Sequence, residues 1–263
     1  MIKSYFVPKT IDEAVLIKKQ YGAKAQYLAG GTELNLRTQK DKYDVFIDLR
    51  DLDLNNINLK EDGTIEIGSG VTFQQLVTDE RIPEQLKRAA NFMENRNIRN
   101  IATIGGNIGG GKTVGDTLCT LIVLDSKLKL HGQDELVSVE EYLNSNCKEL
   151  IERIIISPAD LKKNFASRVY TRSSNDMSLV GAAVTYDEED GKIKNLRIAI
   201  GGVSNRTKRL IEVEKKLEGK KLIKEDIKEL VQENIAPITD IRGSKEFKKH
   251  IAGELVLECF KIN

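Results

Sequence analysis

The sequence predicts an α+β protein, on three observations. Up to about residue 160, apolar stretches of strand length alternate with amphipathic stretches that begin on capping residues. Between 168 and 201 three strand-like segments follow one another, with an Asp190-Gly191 turn signal between the second and third. Beyond 206 the pattern changes to Lys- and Glu-rich helices, so strands and helices are segregated in the last third of the chain.

In chain order, Thr10 and Glu13 form a Thr-x-x-Glu capping box ahead of Ala14, Val15 and Ile17, which predicts a helix from about 10 to 20 that Gly22 stops. A short apolar strand follows at 26–29. Apolar or alternating runs at 43–49 and 64–67 read as strands, and 73–78 and 84–93 as helices. The continuous run 118–126 predicts a buried helix, with a strand at 127–130, a short capped helix at 138–146 and a strand at 150–156. A second unit begins near Leu161. It has strands at 168–171, 178–186 and 195–201, then helices at 206–218, 224–235 and 244–261, whose Lys and Glu runs read as solvated helix faces. The sequence contains no internal repeat and no low-complexity linker.

Charge and composition exclude several classes. The 263 residues carry 41 basic and 40 acidic side chains, a net of +1, so no overall field draws the chain to nucleic acid. There is no apolar run of about 18 residues and no signal-peptide plan at the N-terminus, so a cytoplasmic protein without a membrane span is expected. Cys119, Cys147 and Cys259 are isolated and odd in number, and His131 and His250 are the only histidines. That inventory suits neither a disulfide framework nor a metal site or iron–sulfur cluster. No metal ligand is assigned, and any metal centre that exchanges electrons with this chain sits in another subunit.

Two glycine-rich segments carry the chemistry. One is Leu28-Ala29-Gly30-Gly31-Thr32-Glu33-Leu34; the other is Thr103-Ile104-Gly105-Gly106-Asn107, which runs through Gly109, Gly110 and Gly111 to Asp116. Such segments can wrap closely around an anion and turn backbone N–H groups toward it, because no Cβ blocks close approach or positive φ. Two cradles suit a diphosphate. Gly106 to Lys112-Thr113 also matches the Walker spacing formally, but Gly115 disfavours the helix that should follow directly, and a Rossmann fingerprint fits only loosely.

These residues, with Ile98-Arg99-Asn100-Ile101-Ala102 leading into the second segment and Gly115-Asp116 after it, resemble the two flavin-binding signatures of the FAD-binding medium subunit of molybdenum hydroxylases, the xanthine dehydrogenase and carbon monoxide dehydrogenase flavoprotein family. Phe6-Val7-Pro8 with Ile11-Asp12-Glu13-Ala14, Gly68-Ser69-Gly70, Arg172 to Met177, Ile200-Gly201-Gly202-Val203 and Asp240-Ile241-Arg242-Gly243-Ser244 also fall in family order. The resemblance implies a PCMH-type FAD-binding domain over 1–160, with subdomains of about 1–54 and 55–160, and a C-terminal flavoprotein domain with a small antiparallel sheet and helices over 161–263. It implies FAD as cofactor. Tyr27, Leu28, Ala29, Gly30, Gly31, Thr32, Glu33 and Leu34 would form the first cradle, and Thr103, Ile104, Gly105, Gly106 and Asn107 the second. Asp116 would accept from a sugar hydroxyl. Arg168 falls where relatives have a lysine near the flavin, and Met93 and Glu152 align with cofactor-touching positions.

The resemblance also implies partners: a 2Fe–2S subunit that delivers electrons, a molybdenum-cofactor subunit that oxidises the organic substrate, and NAD⁺ or another acceptor. No catalytic residue is assigned in this chain, since the flavin carries the redox chemistry. The sequence departs from the family in having Lys112-Thr113, after three glycines, where relatives commonly carry Ser-Pro. A stand-alone FAD-binding or assembly module and a P-loop nucleotide hydrolase remain alternatives. Locally, Gly30 and Gly106 also read as turn glycines, Asp116 as a helix cap and Arg168 as a surface strand residue.

Overall fold

The computed structural model describes residues 2–36, 42–93, 95–145, 149–173 and 176–260. Strands β1 (Ser4–Phe6), β2 (Ala25–Leu28) and β3 (Val45–Asp48) make a parallel sheet in the order β1-β3-β2. Helix α1 (Ile11–Tyr21) covers this sheet. Its N-cap is Thr10, whose hydroxyl accepts from the Glu13 N–H, and Gly22 ends it at φ 55°. Ala14, Ala25, Val45, Ile47, Leu52 and Leu54 close a small core beneath it, joined by Leu150 from far along the chain. Strand β1 escapes prediction because three residues show no period.

The next unit is a five-stranded antiparallel sheet in the order β4-β5-β8-β6-β7, formed by β4 (Ile57–Leu59), β5 (Ile65–Gly68), β6 (Lys127–Leu130), β7 (Val137–Ser138) and β8 (Ile151–Ile156). Between β5 and β6 the chain runs through α2 (Phe73–Thr78), α3 (Glu84–Asn91), α4 (Arg96–Arg99), α5 (Ile104–Gly110) and α6 (Leu118–Val123), and α7 (Val139–Asn144) follows β7. The largest core lies here, with Ile67, Phe73, Leu86, Ile104, Leu121 and Ile154 fully buried.

After the short α8 (Pro158–Leu161), strands β9 (Asn164–Tyr170), β10 (Val180–Glu189), β11 (Lys192–Gly201) and β12 (Lys208–Arg209) form an antiparallel sheet, ordered β12-β11-β10-β9. The β10–β11 turn places Asp190 at φ 53° and Gly191 at φ 71°, the paired positive φ values that Asp-Gly supplies in tight hairpins. Helices α9 (Ile211–Leu217), α10 (Lys224–Glu233) and α11 (Lys245–Glu258) complete the third core with Val213, Ile227, Val231 and Val256. The helix expected from 206 begins only at Ile211. Lys208 and Arg209 are drawn into strand pairing with Ile200 and Ala199 instead, and Thr207 Oγ1 donates to Thr113 O at 3.3 Å.

Helix α6 is shared by the last two units. Ala183 of β10 and Ala199 of β11 join the core around it, Thr185 Oγ1 donates to Val123 O at 3.1 Å, and Arg197 Nη1 reaches the same carbonyl at 3.3 Å. Among the described residues, no helix is long and apolar enough to cross a membrane.

Candidate cofactor-binding site

At the end of β2 the chain turns through Gly30 and Gly31, the latter at φ 69°. Gly30 lies directly on the backbone of Ile101: a Cβ there would stand 1.7 Å from the Ile101 carbonyl oxygen and 2.5 Å from its carbon. This contact brings the two glycine segments together. On the carbonyl side the turn is tied by Asn35 N–H to Gly31 O and Leu36 N–H to Glu33 O, each 3.1 Å. The N–H groups of Gly30, Gly31, Thr32, Glu33 and Leu34 donate to no described group. Consecutive orphan donors of this kind form a concavity suited to an anion.

Tyr27 and Leu28 serve the strand that leads into the cradle. The Lys18 ammonium stands 5.9 Å from the centre of the Tyr27 ring. Burial, then the Glu149 charge, pushes the Tyr27 phenol up to about 12. Leu28 is buried, with its Cδ1 directly beneath Gly31.

The second segment has a different geometry from the one its glycines suggest. Residues 104–110 form helix α5 rather than an open loop, with Thr103 at the N-cap accepting from Gly106 N–H at 3.1 Å. Ile104 N–H donates to Val71 O at 3.0 Å, Gly105 N–H to Ser69 O at 2.9 Å and Asn107 N–H to Thr103 O at 2.9 Å. The bare donors are therefore on residues 30–34, which lean on Ile101 and Ala102 just ahead of this segment. Its glycines permit close packing: a Cβ on Gly105 would meet Ser69 Cβ at 2.5 Å and Ser69 O at 2.7 Å, whereas one on Gly106 would meet only Thr103 Oγ1, at 2.9 Å. Neither residue has positive φ; Gly111 does, at 54°, and ends the helix. The Walker-like match thus runs from helix to loop, the reverse of a P-loop, in which the loop precedes the helix.

Downstream, Lys112 forms an ion pair with Glu33, joining the two segments through side chains as well. Asn107 Oδ1 accepts from Thr117 Oγ1 at 2.8 Å, which organises the approach to α6. Asp116 Oδ1 accepts from Ser178 Oγ of the C-terminal unit at 3.2 Å, while the N-cap of α6 is Thr117, whose side chain makes no cap bond. A cleft at this seam is lined by Phe92, Val114, Asp116, Cys119, Arg168 and Gly181, among others, so Asp116 and Arg168 both border it. Arg168 Nη1 donates to Ser167 O at 2.9 Å and its Nε lies 3.7 Å from Glu258.

Met93 and Glu152 have other neighbours. Met93 packs in the large core, and its carbonyl accepts from Arg99 at 2.9 Å. Phe92, next to it, lines the cleft. The Glu152 carboxylate bonds to His131 at 2.7 Å, while its backbone carbonyl holds the Ser69 N–H at 3.0 Å. Sequence reasoning gave no role to Ile101, Ser69, Ser178 or Gly202, the last donating to Thr113 O at 2.7 Å. Ser69 and Gly202 lie in short glycine motifs, and Ile101 in the run that leads into Thr103, all of which carried a usable signal; Ser178 makes a contact that no local pattern encodes.

Cys119 and Cys259 are buried, and burial pushes both thiols up to about 12. Cys147 lies outside the described residues. Iodoacetamide at pH 8 is expected to leave Cys119 and Cys259 unmodified in the native protein and to alkylate both after denaturation, as read by peptide mapping; native labelling of either would contradict the packing. Because these folded-state values lie above the ordinary 9.0, the stability they contribute is complete below pH 9 and is lost as pH rises toward 12.

A row of backbone donors at the end of β2, backed by the Ile101 main chain, defines a site suited to a phosphate-bearing cofactor. The comparisons identify which. Residues 1–159 match the FAD binding domain in molybdopterin dehydrogenase, and residues 165–262 match the CO dehydrogenase flavoprotein C-terminal domain. The chain belongs to this family of oxidoreductase flavoproteins, and its cofactor is FAD. It is 34% identical to YgfM of Escherichia coli strain K12, over 99% of this chain and 96% of that one. It is 30% identical to the xanthine dehydrogenase FAD-binding subunit of Escherichia coli O157:H7, over 94% and 91%. The fold matches a chain of carbon monoxide dehydrogenase from Hydrogenophaga pseudoflava with a TM-score of 0.89 at 24% identity, covering 98% and 96%. The residues suit FAD: the five free donors of 30–34 face no competing protein acceptor among the described residues, and the glycine contact that forms their wall tolerates no side chain.

Proposed function

We propose that this chain is the FAD-containing electron-transfer subunit of a cytoplasmic molybdenum hydroxylase-type complex resembling xanthine dehydrogenase. It would take electrons from a 2Fe–2S partner subunit and pass them to NAD⁺ or another acceptor, while a molybdenum-cofactor subunit oxidises the substrate. The observation that carries this reading is the row of free N–H groups at 30–34, seated on Ile101 and facing no protein acceptor among the described residues. The names of the relatives support the multisubunit part, since "FAD-binding subunit" and "medium chain" are parts of assemblies.

FAD supplies two-electron and one-electron redox chemistry in one group, which side chains cannot provide. The chain's residues bind and orient it. Residues 30–34 hold the diphosphate by backbone donors, with Thr32 adding a hydroxyl; 27–29 lead into them, and Ile101, just ahead of 103–107, backs them. Asp116 accepts from a sugar hydroxyl, and Arg168 places a positive charge at the seam cleft. The division near residue 160 would then separate the two-subdomain FAD unit from the C-terminal domain, which covers the cleft with Gly181, Ser178 and Arg168.

The test is purification of the native protein, followed by identification of the chains that accompany it. A yellow complex with a four-cysteine 2Fe–2S chain and a larger molybdenum-cofactor chain is expected, with bound flavin reduced by the organic substrate of the complex. A flavoprotein that is always isolated alone and exchanges electrons with no iron–sulfur chain would return the reading to a FAD-binding module.

Asp116→Ala should weaken FAD by about 1–3 kcal/mol through loss of a charged acceptor. Ser178→Ala, which removes only the bond across the seam, should lower the thermal midpoint but leave FAD affinity close to the parent's. Equal losses of FAD affinity in the two variants would reduce Asp116 to a domain tie.

A further inference from the structure

Lys112 and Glu33 come from different glycine segments and meet at the mouth between them. The Glu33 N–H is one of the five free donors, so the Lys112 ammonium stands at the rim of that cradle. The Lys112 backbone is fixed on both sides. Gly111 ends helix α5 before it, and the next carbonyl, Thr113 O, accepts from Gly202 N–H at 2.7 Å and from Thr207 Oγ1 at 3.3 Å. From this anchored point a flexible four-carbon stem carries the charge, and the paired groups keep 33% and 30% of their side-chain surface open to solvent. A partly exposed ion pair of this kind contributes little to stability.

Among the described residues, the cradle has a charge deficit that this pair can meet. Its backbone donors are neutral, a diphosphate brings two negative charges, and Glu33 adds a third at the same place. Among the described residues, Lys112 is the one cation with an ion pair to any residue of 30–36. We infer that Lys112 is the charged ligand of the cofactor diphosphate, and that Glu33 holds it at the rim until the cofactor arrives. Binding exchanges a carboxylate partner for a phosphate partner on the same ammonium, with no movement of the backbone. Glu33 is then a competitor as well as a guide, since its carboxylate must give up the cation and remain beside a like charge.

This inference rests on the assignment of FAD to the two glycine segments. The full-length protein, or its native complex, is stripped of FAD and retitrated by quenching of flavin fluorescence, at low and high salt, for the parent, Lys112→Met, Glu33→Gln and the double variant. Thermal unfolding of each stripped form checks that it is folded. Lys112→Met should weaken FAD tenfold or more and flatten the salt dependence, whereas Glu33→Gln should tighten it several-fold. The double variant should fall close to Lys112→Met. ADP, which carries the diphosphate without the isoalloxazine, should follow the same order.

If the pair is only a clasp that closes the site, both single variants weaken FAD alike, and that result overturns the inference. So does a Glu33→Gln variant with unchanged affinity, a Lys112→Met variant that binds as the parent does, or an effect on FAD that ADP does not share. A parent protein that fails to rebind FAD at all would instead contradict the cofactor assignment itself.

Discussion

Gly30→Ala is expected to release FAD and to lower the thermal midpoint by several degrees, although it adds a single methyl group. The new Cβ would lie 1.7 Å from the carbonyl oxygen of Ile101 and 2.5 Å from its carbon. Both atoms are backbone, so no rotamer change relieves the overlap and the two segments must separate. Overpacking in a tight contact costs about 1–3 kcal/mol, and a chain of this size loses about 2–4 °C per kcal/mol. Separation also removes the wall behind the five donors, so the FAD loss should exceed what the stability loss alone gives. Flavin absorbance after gel filtration and thermal unfolding of the stripped form measure the two effects. Gly109→Ala, where nothing lies within 4 Å of the new methyl, is the matched control in helix α5 and should be neutral or stabilising. Full FAD occupancy in Gly30→Ala would mean that the cradle does not need the Ile101 contact.

Gly105→Val should be the second most damaging change at the site, and more damaging than Gly106→Val. At Gly105 the added carbon meets Ser69 Cβ at 2.5 Å and Ser69 O at 2.7 Å, and the Gly105 N–H bond to that same oxygen would be broken. Ser69 in turn is fixed to Glu152 O of strand β8, so displacement of α5 is resisted by the central sheet. At Gly106 the contact is only with the hydroxyl of Thr103, a side chain that can rotate at the cost of one cap bond, about 1 kcal/mol. The expected order in both FAD retention and midpoint is parent, then Gly106→Val, then Gly105→Val. An inverted order would place the ligand against Gly106 and not behind it.

The elements that local chemistry specifies were legible in the sequence. Thr10 caps α1, although the Glu13 carboxylate accepts from the Lys9 N–H and not from the Thr10 N–H that a full capping box requires; α2 and β6 occupy the residues expected, and Asp190-Gly191 makes the β10–β11 turn. What was not legible depended on partners distant in the chain. Residues 104–110 are poor helix formers, with four glycines in seven positions, and hold a helix because Thr103 caps it and Val71 and Ser69 accept its first N–H groups. Lys208 and Arg209 carry helical periodicity but pair with β11. At the candidate site, the glycine segments announced themselves, but which of the two held the free donors did not. That follows from the Gly30–Ile101 contact, between residues seventy-one positions apart. The partner of Lys112 was equally unreadable, since Glu33 looks like any solvated acid in sequence.

Helix α6 has a consequence for how this chain comes into being. Its six residues are all buried, and they are covered partly by β10 and β11, which are synthesised more than fifty residues later. A ribosome that has released the whole FAD-binding region still leaves Leu118 to Val123 without the strands that enclose them. The cofactor-binding half therefore cannot reach its finished packing ahead of the C-terminal half. Premature termination after residue 160 would yield an apolar surface open to chaperones and proteases, not a smaller flavoprotein.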